Sequence, residues 1–360
     1  MLKNYRDDFP TLSGDHPPAY LDNACVTLKP QSVIDTIHRY YTETPGCGGR
    51  SVHRYGTAVS KSVSEARNKL ARFLNAPSPN EIVFTRNATH SINQVAQGLN
   101  WDKGDVVLTT DREHNSNLVP WLQLEQEQGI DHRVVPSHPD NTFDMEAFEA
   151  ACAEAGTNLK MVAMSHVGNL DGIEIPVAEV AKVARDHDAL VAIDGAQSTP
   201  HMNVDVQALD IDFLSFSIHK MCGPSGMGGL WGRYDLLDGM RTIQSGGQTV
   251  QTSSYTDATW AAPPARFEGG LGNFSGMMAT GAAIDYLSKL DMDAVHEHEI
   301  ALNRIMTEGV KDLPGVSIIG PEDPTKRGGI CSMLMDDLPA HDVALLLDEV
   351  AGVMVRSGQH

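Results

Sequence analysis

Cysteine is scarce and scattered in this chain of 360 residues: Cys25, Cys47, Cys152, Cys222 and Cys331, with no Cys-x-x-Cys pair. That pattern indicates neither a zinc site nor a disulfide framework. Basic residues are also few, 27 Lys plus Arg against 47 Asp plus Glu, and the net charge of -20 opposes binding to nucleic acid or to an anionic membrane. The acidic residues are dispersed rather than gathered in a tail, so solubility explains them most simply, with a salty habitat as the alternative. No apolar run approaches the roughly 20 residues of a membrane span, and residues 1–8 lack the apolar stretch of a signal peptide. We therefore expect a cytoplasmic location and no nucleic-acid or membrane partner. No Gly-x-Gly-x-x-Gly follows the first strand pattern, which removes a dinucleotide-binding reading. His296 and His298 stand two apart on a helical stretch, point to different faces, and make a poor metal pair.

What the chain has in quantity is alternation. Short apolar runs at residues 81–85, 105–110, 133–135, 160–166, 190–194 and 213–217 are separated by helical periodicities. Val63, Ala66, Leu70 and Phe73 share one helical face, and Val177, Val180, Ala181 and Ala184 share another after Pro176. The fold class this predicts is α/β, a mainly parallel central sheet covered by helices on both sides, with ligands beyond the carboxyl ends of the strands. Residues 223–276 read as glycine- and proline-rich loop. The Gly223–Gly229 run lacks the Lys-Ser/Thr of a phosphate-binding P-loop and reads as a turn into Leu230-Trp231. Beyond it, helices at 277–290, 295–313 and 341–350 and strands at 316–319, 329–334 and 352–356 read as a smaller α+β unit. The expected organisation is a large domain over 16–276 and a small one built from 1–15 plus 277–360.

Two of the strand patterns end on chemistry. The run 213–217 leads to Lys220, and the run 190–194 ends on Asp194. A lysine and a carboxylate at the ends of neighbouring buried strands suit pyridoxal 5'-phosphate (PLP). The amine forms a Schiff base with the aldehyde, and the carboxylate pairs with the protonated ring nitrogen and keeps the ring an electron sink. Taken singly, Lys220 reads equally as a surface lysine and Asp194 as a turn residue; their pairing favours the cofactor. Ser217 and His219 are candidate phosphate donors. Gln197 fits a partner for the phenolic oxygen or a surface amide. His114, just past a strand end, can stack on a flat ring and move protons, or be a loop histidine. The stretch Arg86-Asn87-Ala88-Thr89 opens a helix, whose N-terminal N–H groups suit a phosphate, and a plain capping role is compatible with that.

With Asp194-Gly195-Ala196-Gln197 and Ser217-Ile218-His219-Lys220 in hand, the chain resembles the class V aminotransferase-fold PLP enzymes (fold type I, aspartate-aminotransferase-like). Within that fold it is most similar to the group II cysteine desulfurases and selenocysteine lyases. The resemblance runs in order from Tyr20-Leu21-Asp22-Asn23-Ala24 through Glu113-His114, Val119-Pro120-Trp121, Ser165-His166-Val167-Gly168-Asn169, Val204-Asp205-Val206 and Arg266-Phe267-Glu268-Gly269-Gly270 to Val355-Arg356-Ser357-Gly358-Gln359-His360. It implies that Lys220 carries the Schiff base, Asp194 the ring nitrogen and Gln197 the ring oxygen, while His114 stacks on the ring. Ala88, Thr89, Ser217 and His219 would hold the phosphate. Asn169 and Arg356 would surround the substrate amino acid, Arg356 gripping its carboxylate with two parallel bonds, and His53 would stand at the pocket mouth.

The activity implied is conversion of L-cysteine to alanine, with sulfur passed through an enzyme thiol to an acceptor protein, in the setting of iron–sulfur cluster assembly. A homodimer with its sites at the subunit interface goes with it. Selenocysteine lysis, transamination, epimerisation, and a catalytically impaired protein that binds a sulfur carrier are the alternatives. Three departures from the family stand out. The family thiol follows the Arg-x-Gly-x-His element directly and would come just after His360. The family's next sheet-and-helix segment, with a second substrate-binding arginine, would come later still. The expectation is therefore a C-terminally truncated small domain that binds the cofactor but transfers sulfur weakly. Third, Leu271 stands where the family has a threonine that reaches the partner subunit's phosphate. By alignment none of the five cysteines replaces the family thiol; Cys222, nearest to Lys220 in sequence, reads as a small buried residue.

Overall fold

The structure is a computed structural model and describes residues 4–358. Its main sheet has seven strands: β1 (Ile82–Thr85), β2 (Val106–Thr110), β3 (Asp131–Val135), β4 (Leu159–Ser165), β5 (Leu190–Asp194), β6 (Phe213–Ser217) and β7 (Gly228–Gly232). Their spatial order is β1-β7-β6-β5-β4-β2-β3. Every adjacent pair from β6 to β3 is parallel, and only β7, antiparallel to both β6 and β1, runs the other way. The sheet is thus mainly parallel, as the alternating pattern requires.

Burial on both faces explains why the strands read as unbroken apolar runs. Along β4, Met161 and Ala163 face one core while Val162 and Met164 face the other. The core of Val162 and Met164 takes Ala66 and Leu70 from the helix Arg54–Phe73 and Val177, Val180, Ala181 and Ala184 from the helix Val177–Asp186. The opposite core takes Ile92, Val95 and Ala96 from the helix Ala88–Gly98 and Trp121 and Leu124 from the helix Asn115–Gln128.

The structure departs from expectation at β7, which the sequence pattern gave only as a turn. Three of its five residues are glycine and none is β-branched, so it carries no strand signal. The glycines answer to close approach. A Cβ on Gly228 would sit 2.4 Å from the Cα of Asn87, and one on Gly229 would sit 2.3 Å from the ring of Phe216. The glycine at position 228 lets residue 87 and the helix it caps cross directly over β7. The expected loop also contains the helix Tyr234–Gly239 and an exposed hairpin of Val250–Ser253 with Ala258–Trp260.

The helix Phe274–Leu287 buries Met277, Ile284 and Leu287 in the same core as Ala66 and Leu70. An expected boundary at residue 277 therefore falls inside a helix of the main body. After it come the helix Met292–Val310, an antiparallel pair of Val316–Ile318 with Met333–Met335, and the helix Ala340–Ala351. The strand expected over 329–334 is confined to its end, because residues 327–330 pack against Gly172 instead of pairing. Gly172 has φ +69°, and a Cβ there would lie 2.0 Å from the Arg327 carbonyl oxygen. Val353–Met354 pairs in parallel with Ala19–Tyr20 and carries the C-terminal segment to the edge of the strand-end region. Gln359 and His360 of the expected motif lie outside the described residues. Among the described residues no helix is long and apolar enough to cross a membrane.

Candidate active site

The parallel strands deliver their carboxyl ends to one edge of the sheet, and the candidate residues follow from that register. Ser165, Asp194 and Ser215 are side-by-side partners on β4, β5 and β6. Two residues past Ser215, β6 ends and a single 3-10 turn, Ile218–Lys220, brings Lys220 over the edge. Asp194 is only 6% exposed. Its Oδ1 accepts the Ala196 N–H at 2.9 Å, and its Oδ2 takes no hydrogen bond among the described residues. Burial pushes its carboxyl group up, against the Ala196 N–H and the positive charges of Lys220 and His114. Burial likewise pushes the Lys220 amine down, opposed by Asp194 and Cys25 and reinforced by Arg356. Both ionised forms are disfavoured where they stand, the electrostatic state of a site that a cationic ring would complete.

The second half of the site is a helix N-terminus. Asn87 caps the helix Ala88–Gly98 by accepting the His90 N–H at 2.9 Å. The Ala88 N–H donates to Ser217 Oγ at 3.0 Å, and Thr89 Oγ1 meets Ser116 Oγ at 2.6 Å. Two helix starts and the end of β6 thus present hydroxyl and N–H groups to one another, the donor set that an anion requires.

His219 lies beside them. Burial, then Lys220 and Lys29, push its imidazole from its ordinary value of 6.5 down to about 4, against a hydrogen bond to the Met227 backbone. It is therefore neutral near pH 7. Between these values the unfolded chain binds a proton that the folded chain refuses, so stability is lost as pH falls from 6.5 toward 4. Thermal melts of the cofactor-free protein should show Tm falling through that window less steeply in His219→Gln than in the wild type. Parallel profiles would remove His219 from the acid response.

Residues 20–29 cross above this edge. Gln197 Nε2 donates to the Ala24 carbonyl at 2.9 Å. The Thr27 N–H and hydroxyl both reach the His219 carbonyl at 3.1 Å, and Lys29 Nζ reaches it at 2.9 Å. Arg356, whose side chain is 51% exposed, stands with Nη1 3.8 Å from Asp22 Oδ2. The C-terminal strand and the N-terminal segment therefore meet at the same edge.

Comparison with known proteins bears on this arrangement. The family model described as aminotransferase class-V matches residues 19–360. A probable cysteine desulfurase of Halalkalibacterium halodurans is 38% identical, the match covering 98% of this chain and 86% of that protein. The chain belongs to the class V aminotransferase family. Among solved structures, a cysteine desulfurase of Thermococcus onnurineus NA1 superposes with a TM-score of 0.93 at 34% identity, over 99% of this chain and 87% of that one. The Escherichia coli cysteine desulfurase CsdA, in its S-sulfonic acid form, gives 0.91 at 30% identity, over 100% and 89%.

In this class V chain the remaining candidates fall unevenly around the edge. His114 caps the helix Asn115–Gln128, its Nδ1 3.1 Å from the Ser116 nitrogen, and its charge reaches Asp194. Asn169 follows β4 in the turn near Ser165. His53 is exposed and caps the helix Arg54–Phe73 through the Gly56 N–H; its ring contact is with Tyr55. Its contacts are local and do not join it to the Lys220–Asp194 pair. One positioning residue was given no role by the sequence reading, Glu113. Its carboxylate accepts bonds from the hydroxyls of Thr110 and Ser165 and from Asn117 Nδ2, each at 2.7 Å, which ties the end of β2 to the end of β4 and fixes the start of the His114 helix. An acid directly preceding a strand-end histidine is the signal that could have found it.

Proposed function

We propose that the chain is a PLP-dependent cysteine desulfurase, converting L-cysteine to alanine and passing the sulfur to a thiol acceptor. The observation that carries this reading is the pairing of Lys220 with a nearly buried Asp194 that has one oxygen to spare, at adjoining strand ends, in a chain whose relatives are named cysteine desulfurases. Lys220 would hold the cofactor's aldehyde carbon, and Asp194 Oδ2 its ring N–H. The Ala88 and Thr89 N–H groups, Ser217 and His219 would hold its phosphate. Gln197 has a second amide hydrogen to offer the ring oxygen, and the His114 imidazole would cover the ring face. Bound there, PLP supplies an electron sink for the substrate α-carbon.

The chain's own residues do the rest. Burial lowers the basicity of Lys220 and so favours its neutral amine, the form able to take and return a proton at the α-carbon. Arg356 offers a planar, half-exposed guanidinium to the substrate carboxylate, with Asn169 alongside, and Asp22 holds it in readiness. His53 is assigned to the pocket mouth. Residues 20–29 cover part of the strand-end edge through the bonds of Ala24 and Thr27. We also assign a homodimer, a sulfur-acceptor protein as partner and a cytoplasmic setting, and divide the chain into the large domain 16–276 and the small domain 1–15 plus 277–360, with the helix Phe274–Leu287 packed on the large one.

The test is direct. The full chain, supplied with PLP and L-cysteine and a reducing thiol, should yield alanine and sulfide in equal amounts. A keto acid in place of alanine would indicate transamination, and no product would overturn the reading.

A further inference from the structure

We propose that Lys29 is a positioning residue for the reaction, clamping with Thr27 the peptide that carries Lys220. The inference rests on the desulfurase reading above and adds to it a residue which that reading leaves unused. Lys220 does not sit on a strand. β6 stops at Ser217, and Lys220 is the last residue of the short turn Ile218–Lys220. The Met221 and Gly223 N–H groups both return to the Ile218 carbonyl, at 2.9 and 3.0 Å. The His219 carbonyl, one peptide before Lys220, is held from outside the turn. Three donors converge on it: the Thr27 N–H and the Thr27 hydroxyl, each at 3.1 Å, and Lys29 Nζ at 2.9 Å.

The backbone beyond Lys220 shows why such a clamp is required. Cys222 has φ +56°, in the left-handed region that a side chain seldom adopts. A residue persists there only when its surroundings over-determine it. Its N–H donates to Thr27 Oγ1 at 2.9 Å, and Lys29 Nζ in turn donates to the Thr27 carbonyl. Thr27 and Lys29 therefore grip the chain on both sides of Lys220, at the carbonyl of residue 219 and the N–H of residue 222.

Lys29 is held there at a cost to the fold. Burial pushes its amine from 10.5 down to about 8, and no carboxylate figures among the charges acting on it. The one group that does, Cys222, is itself pushed up to about 11 by burial and stays a neutral thiol. A cation drawn partly out of water onto peptide carbonyls, with no anion beside it, is unfavourable by itself. What it supplies is a charge-assisted bond, stronger than a neutral one, to the peptide next to Lys220. The Lys220 amine has to meet its reaction partners closely, and a misplacement of about 1 Å can cost about a hundredfold in rate.

Lys29→Met removes the charged donor and keeps a chain of similar length. In the cofactor-free protein, hydrogen exchange at the Met221, Cys222 and Gly223 amides should become several-fold faster, while exchange along β6 stays at the wild-type rate. In the holoenzyme, kcat for alanine should fall by about tenfold or more with KM for L-cysteine within about twofold. Lys29→Arg, which keeps a charged donor, should recover most of kcat. Between pH 8 and 10.5 the unfolded wild-type chain holds a proton that the folded chain has released, so the Tm of the cofactor-free wild type should rise relative to that of Lys29→Met across that window. Parallel Tm profiles would place the amine in water and overturn the proposal. Unchanged exchange at the three amides, exchange accelerated throughout the sheet, or a Lys29→Met kcat within about twofold of the wild type overturns it too and leaves the desulfurase reading standing. No alanine from the wild-type holoenzyme overturns both. If Lys29→Met does not fold, Lys29→Gln, which keeps a donor without the charge, carries the same tests.

Discussion

Replacing Lys220 with alanine should lower alanine formation by about a thousandfold or more, the loss expected when an acid–base group that also anchors the reactant is removed. The structure gives this lysine two properties that a surface lysine lacks. Burial shifts it toward the neutral amine, and Asp194 draws its remaining charge across the end of β5. Lys29, another lysine near the site, does not take over, because its Nζ is held on the carbonyls of Thr27 and His219. Lys220→Arg is the informative control. It keeps a cation beside Asp194 but provides no nucleophilic amine, so it should be as inactive as alanine while preserving the thermal stability of the wild type more closely. Borohydride reduction followed by denaturation should leave cofactor covalently attached to the wild-type chain and to neither variant. An adduct that persists in Lys220→Ala would assign the attachment to another residue.

How much of this could be read from the chain depends on the distance over which each residue acts. Asp194 and Lys220 were legible because β5 and β6 are buried on both faces, so that a continuous apolar run ends abruptly on a polar residue at the sheet edge. The helix start at Asn87 was legible for the same local reason. β7 was not, because its glycines answer to the backbone of residue 87 and to the Phe216 ring, neither of which leaves a trace within residues 228–232. The helix Phe274–Leu287 was misassigned at its start because it is apolar all round, with Gly281 packed on Ala66, and such a helix gives no face by which to place it. The role of residues 24–27 was beyond reach for a third reason. Their anchors are hydrogen bonds to Gln197 and His219, formed between parts of the chain that only the fold brings together.

Asp194→Asn should have opposite effects on the two forms of the protein. In the cofactor-free chain the carboxylate is nearly buried with one N–H partner, and its pKa is raised above the ordinary 3.8, chiefly by desolvation. A raised carboxyl pKa means that the folded state holds a proton the unfolded state has released. Stability is thus fullest below 3.8 and is lost as pH rises through the folded value. Asparagine keeps the shape and can still accept the Ala196 N–H, but it carries no charge to desolvate. The cofactor-free variant should therefore melt at a higher Tm than the wild type at pH 7, and its Tm should change less with pH. Once the cofactor is bound, the neutral amide can no longer stabilise a protonated ring nitrogen. Turnover should fall by about a hundredfold or more, the usual loss when one preorganised electrostatic partner is removed, and the cofactor should bind more weakly. This is the trade expected of a carboxylate kept for chemistry at the expense of the fold. A variant that keeps turnover within about twofold of the wild type would take Asp194 out of the ring-nitrogen role. A variant that melts lower than the wild type without cofactor would show that the carboxylate is a structural group whose burial the Ala196 bond already offsets.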